Sequence, residues 1–550
     1  MRELIPFLSL FKNQAKWMFI GTGLAFLAIL ASIGLLSLSG WFISATGFVA
    51  ISSYAVMQEF NYFYPAAGVR TFSLFRIVTR YGERVFTHEA TFKILTDVRV
   101  WVYQKLTPLA PVHLTQYKSG DLLNRLVNDV NALDNLYIRI ISPSCVLFLS
   151  ILVIGIFFSF FSIGLAITTM LLACVAGFFI PVGVGTLSAK YAANLAQESA
   201  ELKTAITEHI QSLAELKVFA AEDKHNKLIQ IQNMSLIQSQ QKMSCYTGLS
   251  AALMTLFLGL TLWFGVWIAV GLVHSGHLNG AFIALIALAI MGLFEAIMPL
   301  PVAYQYLGGT LTSAKRLLQI IDQKPTVSFP EGSSDKKPVD NSIHFEDIDF
   351  CYQNRTKIYH RFNLALKPNE KVVLFGTTGC GKSTLVNLLA RFFVPQKGCI
   401  LIGGVDISKL SENQLRQQMT IITQQPHIFN GSIRNNLLLA NEGATDDMLW
   451  DALDVVDLKI FVATLANGLD TWVGEHGKHL SKGQKRRLSL AQAVLSHNPI
   501  LVLDEPTEGL DKVTEDRVIK ALKTVMDNKT VILITHSRKL LTYVDRVIYL

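Results

Sequence analysis

Three stretches of this 550-residue chain place residues suited to phosphoryl chemistry at the ends of β-branched runs. The first, "VVLFGTTGCGKSTL", fits G-x-x-x-x-G-K-[ST] at Gly376, Gly381, Lys382 and Ser383. A strand expected over Lys371–Phe375 feeds the loop Gly376, Thr377, Thr378, Gly379, Cys380 and Gly381, and an apolar helix follows from Lys382, Ser383 and Thr384. Backbone N–H groups of such a loop wrap phosphates at a helix N-terminus. Lys382 suits the β- and γ-phosphates, and Ser383 suits Mg²⁺. The second stretch, "ILVLDEP", ends in Asp504, fit for the Mg²⁺ shell, and Glu505, placed to polarise an attacking water. The third, "VILITHS", delivers His536 at the C-terminal end of a strand, where parallel α/β sheets bind ligands. Each alone is an ordinary strand end. All three in this order indicate nucleotide hydrolysis.

A second set of reactive groups lies in "RIVTRYGERVFTHEA", where Arg76, Arg80, Arg84 and His88 follow one another at four-residue intervals. Four residues turn a helix by about 400°, so these side chains drift slowly round one face and cover about 18 Å of its axis. Charges at that depth are costly in lipid unless they face a cavity or a partner. One reading is a basic wall facing a cavity, suited to anions. The other is a helix that leaves the bilayer near Arg80 and continues as a solvated rod, with Arg84 paired to a carboxylate such as Glu83 or Glu89.

The elements that must hold these groups differ in kind. Hydrophobic residues make up 51% of the chain and charged residues only 16%, which excludes an ordinary soluble protein. No Asp, Glu, Lys or Arg occurs from Trp17 to Gln58, between Arg139 and Lys190, or between Lys242 and Glu295. A bilayer needs about 20 apolar residues per helix, so each window suits two spans or most of two. Hairpins are expected near residues 159–164 and 273–280, and the first window should hold helix one and the start of helix two. Six membrane helices result.

Two Lys/Arg-rich segments, about residues 85–138 and 190–242, belong on the cytoplasmic side as long helical rods. Their tips are expected at Lys118–Asp134 and Gln211–Lys224. The net charge of +8 is assigned to such loops, not to nucleic-acid binding. The N-terminal "MRELIPFLSLFKNQAKW" reads as an amphipathic helix on the membrane face, with a frayed terminus as the alternative. Cys145 and Cys174 sit in apolar runs and read as small core residues, and no C-x-x-C pair occurs. Residues 322–342 are polar, contain three prolines and read as a linker. Residues 343–550 alternate short strands with amphipathic helices, an α/β pattern.

In that order these motifs resemble the ATP-binding cassette family. Residues 1–321 resemble the transmembrane domain of a type I ABC exporter half-transporter, and residues 343–550 its cassette. The resemblance implies that Tyr352 in "FCY" stacks on adenine and that Gln424 in "IITQQPHIF" links Mg²⁺ to the membrane domain. It makes "LSKGQ", with Ser481, Gly483 and Gln484, the signature that caps ATP on a partner's cassette, and "EGLD" the D-loop. It matches Lys118–Asp134 and Gln211–Lys224 to the segments that press on the cassettes. The signature departs from LSGGQ at Lys482, which either strengthens binding to the partner's ATP while displacing the signature backbone, or swings into solvent.

Further stretches, among them "ASIGLLSLSGWF", "YPAAGVR", "SGDLLNRLVNDV" and "YIRIISP", resemble the CydDC family of bacterial exporters. That resemblance implies a CydD-like second half-transporter and an inner-membrane location with the cassette in the cytoplasm. It implies ATP and Mg²⁺ as cofactors, and ATP-driven export of cysteine and glutathione in support of cytochrome bd assembly. It also associates the chain with haem b, as bound group or as cargo, which makes His88 the candidate axial ligand for haem iron and sets Arg76, Arg80 and Arg84 against carboxylates of the cargo along a transport path. It implies a further strand and helix beyond "DRVIYL".

Overall fold

The computed structural model describes residues 2–52, 54–109, 122–123, 125–330, 337–352, 357–377 and 379–550. The chain divides into two compact units, one ending at Lys324 and the other starting at Pro325. Of the expected linker, residues 331–336 lie outside the described residues, as do Thr378 and part of the expected tip at Lys118–Asp134.

The first unit is helical. A short helix α1 (Ile5–Phe11) leads into α2 (Ala15–Ala50), then α3 (Phe63–Leu106), α4 (Ser142–Ser159) and α5 (Ile163–Cys174). A π-helical turn at Val175–Phe179 joins α5 to α6 (Ile180–Gln211), and α7 (Glu222–His274), α8 (Ala281–Ile297) and α9 (Leu300–Ile321) follow. Chain reversals fall at residues 160–162, between α4 and α5, and at residues 275–280, between α7 and α8. In α1, Phe7 and Phe11 are buried while Ile5 is exposed. Phe7 meets the edge of Trp101 on α3 with ring centroids 5.6 Å apart.

Among the described residues five helical stretches are apolar enough to cross a membrane by length and composition alone, and the remaining expected span, α3, is long enough at 44 residues but has its apolar run interrupted by Arg70, Arg76, Arg80, Glu83 and Arg84. Two expectations change. Helix two does not begin inside the first charge-free window. Helix α2 uses most of that window, and a short helix at Tyr54–Glu59 takes up most of the rest. Finally, Cys145 is exposed and Cys174 only half-buried. In a membrane helix the outward face is as apolar as the inward one, so an apolar run does not distinguish core from lipid contact.

Small residues set how closely the helices approach. A Cβ on Gly21 would lie 2.8 Å from Thr87 Cγ2, and one on Gly34 would lie 2.6 Å from the Phe72 ring, both on α3. A Cβ on Gly40 would come within 2.8 Å of the Ala284 carbonyl oxygen on α8, and one on Gly292 of α8 within 3.1 Å of Ile33 Cα. Helix α2 is therefore gripped by α3 on one side and α8 on the other, with backbones in near contact.

The rods α6 and α7 reverse through a short helix at Leu213–Val218. Near this tip His209 Nδ1 lies 3.0 Å from His225 Nδ1, joining the two rods. In the earlier segment, the π-helical Arg125–Asp129 buries Asp129, whose carboxylate accepts from Ser313 Oγ at 2.9 Å and pairs with Arg316 Nε at 3.3 Å on α9.

The second unit has two sheets. The antiparallel one is ordered β2 (Tyr359–Leu366), β1 (Ile343–Phe350), β4 (Lys397–Ile402), β5 (Val405–Asp406). The parallel one is ordered β6 (Met419–Ile422), β7 (Ile500–Asp504), β8 (Thr530–Ile534), β3 (Lys371–Phe375), β9 (Arg546–Tyr549). All of β8 and the first four residues of β7 are buried, as strands covered on both faces should be. Register aligns Asp504 with Ile534 across β7 and β8, and Leu374 with Ile534 across β8 and β3. The three functional strand ends thus open side by side along one edge of the sheet.

Candidate functional site

The phosphate loop follows β3 and ends in α10 (Lys382–Leu389). Gly379 and Gly381 adopt φ values of +90° and +114°, which L side chains rarely reach. Gly381 is doubly constrained, because a Cβ there would lie 2.9 Å from the Tyr359 hydroxyl. That hydroxyl donates to the Gly381 carbonyl at 2.9 Å and braces the loop from beneath. Lys382 Nζ donates to the carbonyls of Gly376 at 2.6 Å and Thr377 at 3.1 Å, so the ammonium sits within the loop it would share with phosphate oxygens.

Asp504 and Glu505 leave β7 in different directions. Glu505 takes a positive φ of 52°, donates its N–H to the Ile534 carbonyl at 2.8 Å, and so crosses to the β8 side. There its Oε1 lies 3.3 Å from His536 Nε2. Burial raises both carboxyl pKa values. For Asp504 this is opposed by Arg486, Lys382 and a hydrogen bond with Ser383, and for Glu505 chiefly by His536. A raised pKa suits Glu505 as a base, because proton affinity is what a base needs. The Ser383–Asp504 bond brings together the hydroxyl and carboxylate fit to hold Mg²⁺, which neutralises phosphate charge when bound. Gln424 instead donates from Nε2 to Glu508 Oε2 at 3.0 Å, joining the two loops they stand on.

Tyr352 packs edge-on against Phe350 and Phe393, both with centroids 5.0 Å away, and its hydroxyl lies 3.2 Å from Thr384 Oγ1. Its half-buried ring is therefore tied to the first turn of α10. Ser481 caps α11 (Lys482–Leu495) through a reciprocal capping box with Gln484. Lys482 is the first residue of that helix and is exposed, and its ammonium lies beside Gly509, 3.6 Å from where a Cβ would stand. It also lines a cleft of about 350 Å³ with Gln424, His427, Lys485 and Arg486.

Sequence reading passed over Arg486. Its guanidinium belongs to a residue only 3% exposed, and it donates to the Thr423 carbonyl at 2.8 Å and the Glu505 carbonyl at 2.6 Å, pinning the Gln424 loop to the Glu505 turn. The signal available was "KRR" at the start of an otherwise apolar helix, where one of the arginines had to face inward.

In the helical unit, Arg76 and Arg80 are half-buried, and Arg84 and His88 are exposed. Arg80 Nη2 lies 2.8 Å from Glu295 Oε1 on α8, and Glu295 Oε2 accepts from Ser32 Oγ of α2 at 2.7 Å. The wall of cations is therefore broken at its second member by a carboxylate. Glu295 served in the sequence only as the end of an apolar window, although a lone acid after so long an uncharged run was itself a signal. The His88 ring lies 6.1 Å from that of Phe92, one turn further on.

Residues 359–508 match the ABC transporter family, and residues 19–297 match the ABC transporter transmembrane region. The chain is 38% identical over its whole length, and 95% of the relative's, to the Escherichia coli (strain K12) glutathione/L-cysteine transport system ATP-binding/permease protein CydC. It is 29% identical to the CydD protein of the same description from Bacillus subtilis (strain 168), over 88% of this chain and 84% of that one. A bacterial Atm1-family ABC exporter solved with ATP bound has the same fold, with a TM-score of 0.84 at 20% identity over 96% of this chain and 92% of that one.

Proposed function

Because the chain belongs to the ABC transporter family in both its membrane and its ATP-binding parts, we propose that it is one half of a heterodimeric exporter of reduced thiols. ATP hydrolysis on the cassette drives transport through the helical unit. The cargo in this reading is L-cysteine and glutathione, moved from cytoplasm to periplasm across the inner membrane, and the partner is a CydD-like half-transporter. The observation that carries it is full-length likeness to a protein named for glutathione and L-cysteine transport, extending through the membrane helices as well as the cassette.

In the proposed mechanism the loop from Gly376 to Gly381 and Lys382 hold the phosphates, and Ser383 and Asp504 hold Mg²⁺. Glu505 takes a proton from the attacking water, and His536 holds that carboxylate in place. Ser481, Gly483 and Gln484 serve the nucleotide on the partner's cassette. ATP-dependent uptake of labelled cysteine into inverted vesicles carrying both halves tests the reading. Uptake should vanish with Glu505→Gln, and wild-type vesicles that hydrolyse ATP without accumulating thiol would refute it.

A second reading, with haem b bound or carried, is favoured by one observation: His88 and Arg84 are both exposed, one turn apart on α3. His88 would ligate the iron and Arg84 would pair with a propionate. Loss of the haem absorbance band in His88→Ala supports this reading, and an unchanged band removes it.

A further inference from the structure

Arg80 and Glu295 form an ion pair within the helical unit, about 26 Å along α3 from Phe63 at 1.5 Å per residue and near the C-terminal end of α8. Each side chain keeps about two-fifths of its surface open, Arg80 42% and Glu295 40%, so the pair is accessible rather than sealed in the core. The carboxylate is held from behind. Ser32 Oγ donates to Oε2, which leaves Oε1 directed at the guanidinium. The close approach of α8 to α2, where Gly40 meets Ala284 and Gly292 meets Ile33, fixes the backbone beneath Glu295. A cation on one helix thus faces an anchored anion on another, with room around both.

We propose that this pair is the receptor for the zwitterionic α-amino-acid group of the cargo, an inference that rests on the thiol-export reading above. The cargo's α-carboxylate replaces Glu295 on Arg80, and its α-ammonium replaces Arg80 on Glu295. One ion pair opens and two form, and the α-amino-acid group itself brings no net charge into the membrane interior; the glycine carboxylate of glutathione lies outside that group. L-Cysteine and glutathione each carry one such group. A carboxylate lacking the ammonium would take Arg80 and strand Glu295 unpaired, which is costly at this depth. An amine lacking the carboxylate would strand Arg80. The empty site is kept neutral by its own two residues, and the selectivity arises because only a zwitterion satisfies both when they part.

The test uses the full heterodimer in inverted vesicles, with ATP-driven uptake of L-cysteine, 3-mercaptopropionate (no ammonium) and cysteamine (no carboxylate). Wild type should prefer cysteine to either truncated thiol by at least about tenfold, a comparison that needs no variant to fold. Glu295→Gln should lower cysteine uptake by about tenfold and raise the mercaptopropionate-to-cysteine ratio by a similar factor, since Arg80 then lacks its internal counter-ion. The double swap Arg80→Glu with Glu295→Arg should recover part of the cysteine uptake lost in either single swap. Cysteine and mercaptopropionate taken up equally by wild type would overturn the receptor and leave the thiol cargo standing. So would a proportional loss of all three thiols in Glu295→Gln. Wild-type vesicles that take up none of the thiols would overturn both the cargo and the receptor.

Discussion

His536 Nε2 lies 3.3 Å from Glu505 Oε1, and the Glu505 backbone is held in the left-handed region with its N–H on the strand that precedes His536. The contact is therefore built by the sheet, since adjacent parallel strands set both ends of it. Replacing Glu505 by Gln should lower ATP turnover by about 10²–10⁴, the usual worth of a positioned base, while leaving nucleotide binding in place. Phosphate release and a filter-binding measurement on the same sample check the two halves of this expectation.

The pH dependence follows in sign. Burial raises the Glu505 pKa and His536 opposes the rise. In the proposed role of base Glu505 works deprotonated, so turnover should fall with acidification at a pH above the ordinary glutamate value of about 4.3. In His536→Ala the opposing influence is gone, and the acid limb should move further up as the maximum rate falls. A pH–rate profile of both proteins reads the shift, and a limb that moves down contradicts the assignment.

Arg486→Ala should destabilise the cassette and slow turnover together. Two carbonyl oxygens, of Thr423 and Glu505, lose a buried donor. Orphaned buried polar groups cost about 1–3 kcal/mol each. Differential scanning fluorimetry should show a lowered Tm, and Arg486→Lys, which cannot reach both oxygens in the same way, should recover only part of it.

Tyr352→Ala should weaken ATP binding about tenfold, whereas Tyr352→Phe should change it little. The phenyl ring retains the packing against Phe350 and Phe393 and gives up only the contact to Thr384. A fluorescent-nucleotide titration distinguishes ring from hydroxyl, because a large loss in the Phe variant would assign the effect to the hydroxyl.

Gly40→Ala should lower the thermal midpoint of the purified heterodimer, with overpacking of about 1–3 kcal/mol. The added methyl would meet a backbone oxygen at 2.8 Å, which no rotamer change relieves. Gly47→Ala, with nothing within 4 Å of the new Cβ, should leave the midpoint unchanged.

Much of the cassette was legible in the sequence because its chemistry is local. The loop from Gly376 to Thr384 and the strand ends at Asp504 and His536 are contiguous motifs whose spacing carries their geometry. The cross-links were not legible. Gln424 meets Glu508, 84 residues away, and no spacing rule joins the two. The partners of Arg486 are backbone oxygens, which every residue offers, so nothing in the side-chain sequence singles out Thr423 or Glu505 as acceptors.

In the helical unit, charge-free windows located the hairpins, because lipid excludes charge wherever it touches. The same logic singled out the charges on α3 but gave Glu295 no weight as their partner. The pairing of Arg80 with Glu295 spans 215 residues and depends on which faces of α2, α3 and α8 meet. Glycine contacts decide those faces, and hydropathy does not report them.

Helix α8 ends at Ile297 and α9 begins at Leu300, with Pro299 in the junction, one turn past Glu295, and Pro301 in the first turn of α9. Prolines donate no rung to the ladder, so bending stiffness drops there relative to the rods on either side. Compliance is concentrated at this joint. A tilt of α9 about it would leave the Glu295 carboxylate seated on Ser32, because Glu295 lies on the α8 side of the joint and Ser32 on α2.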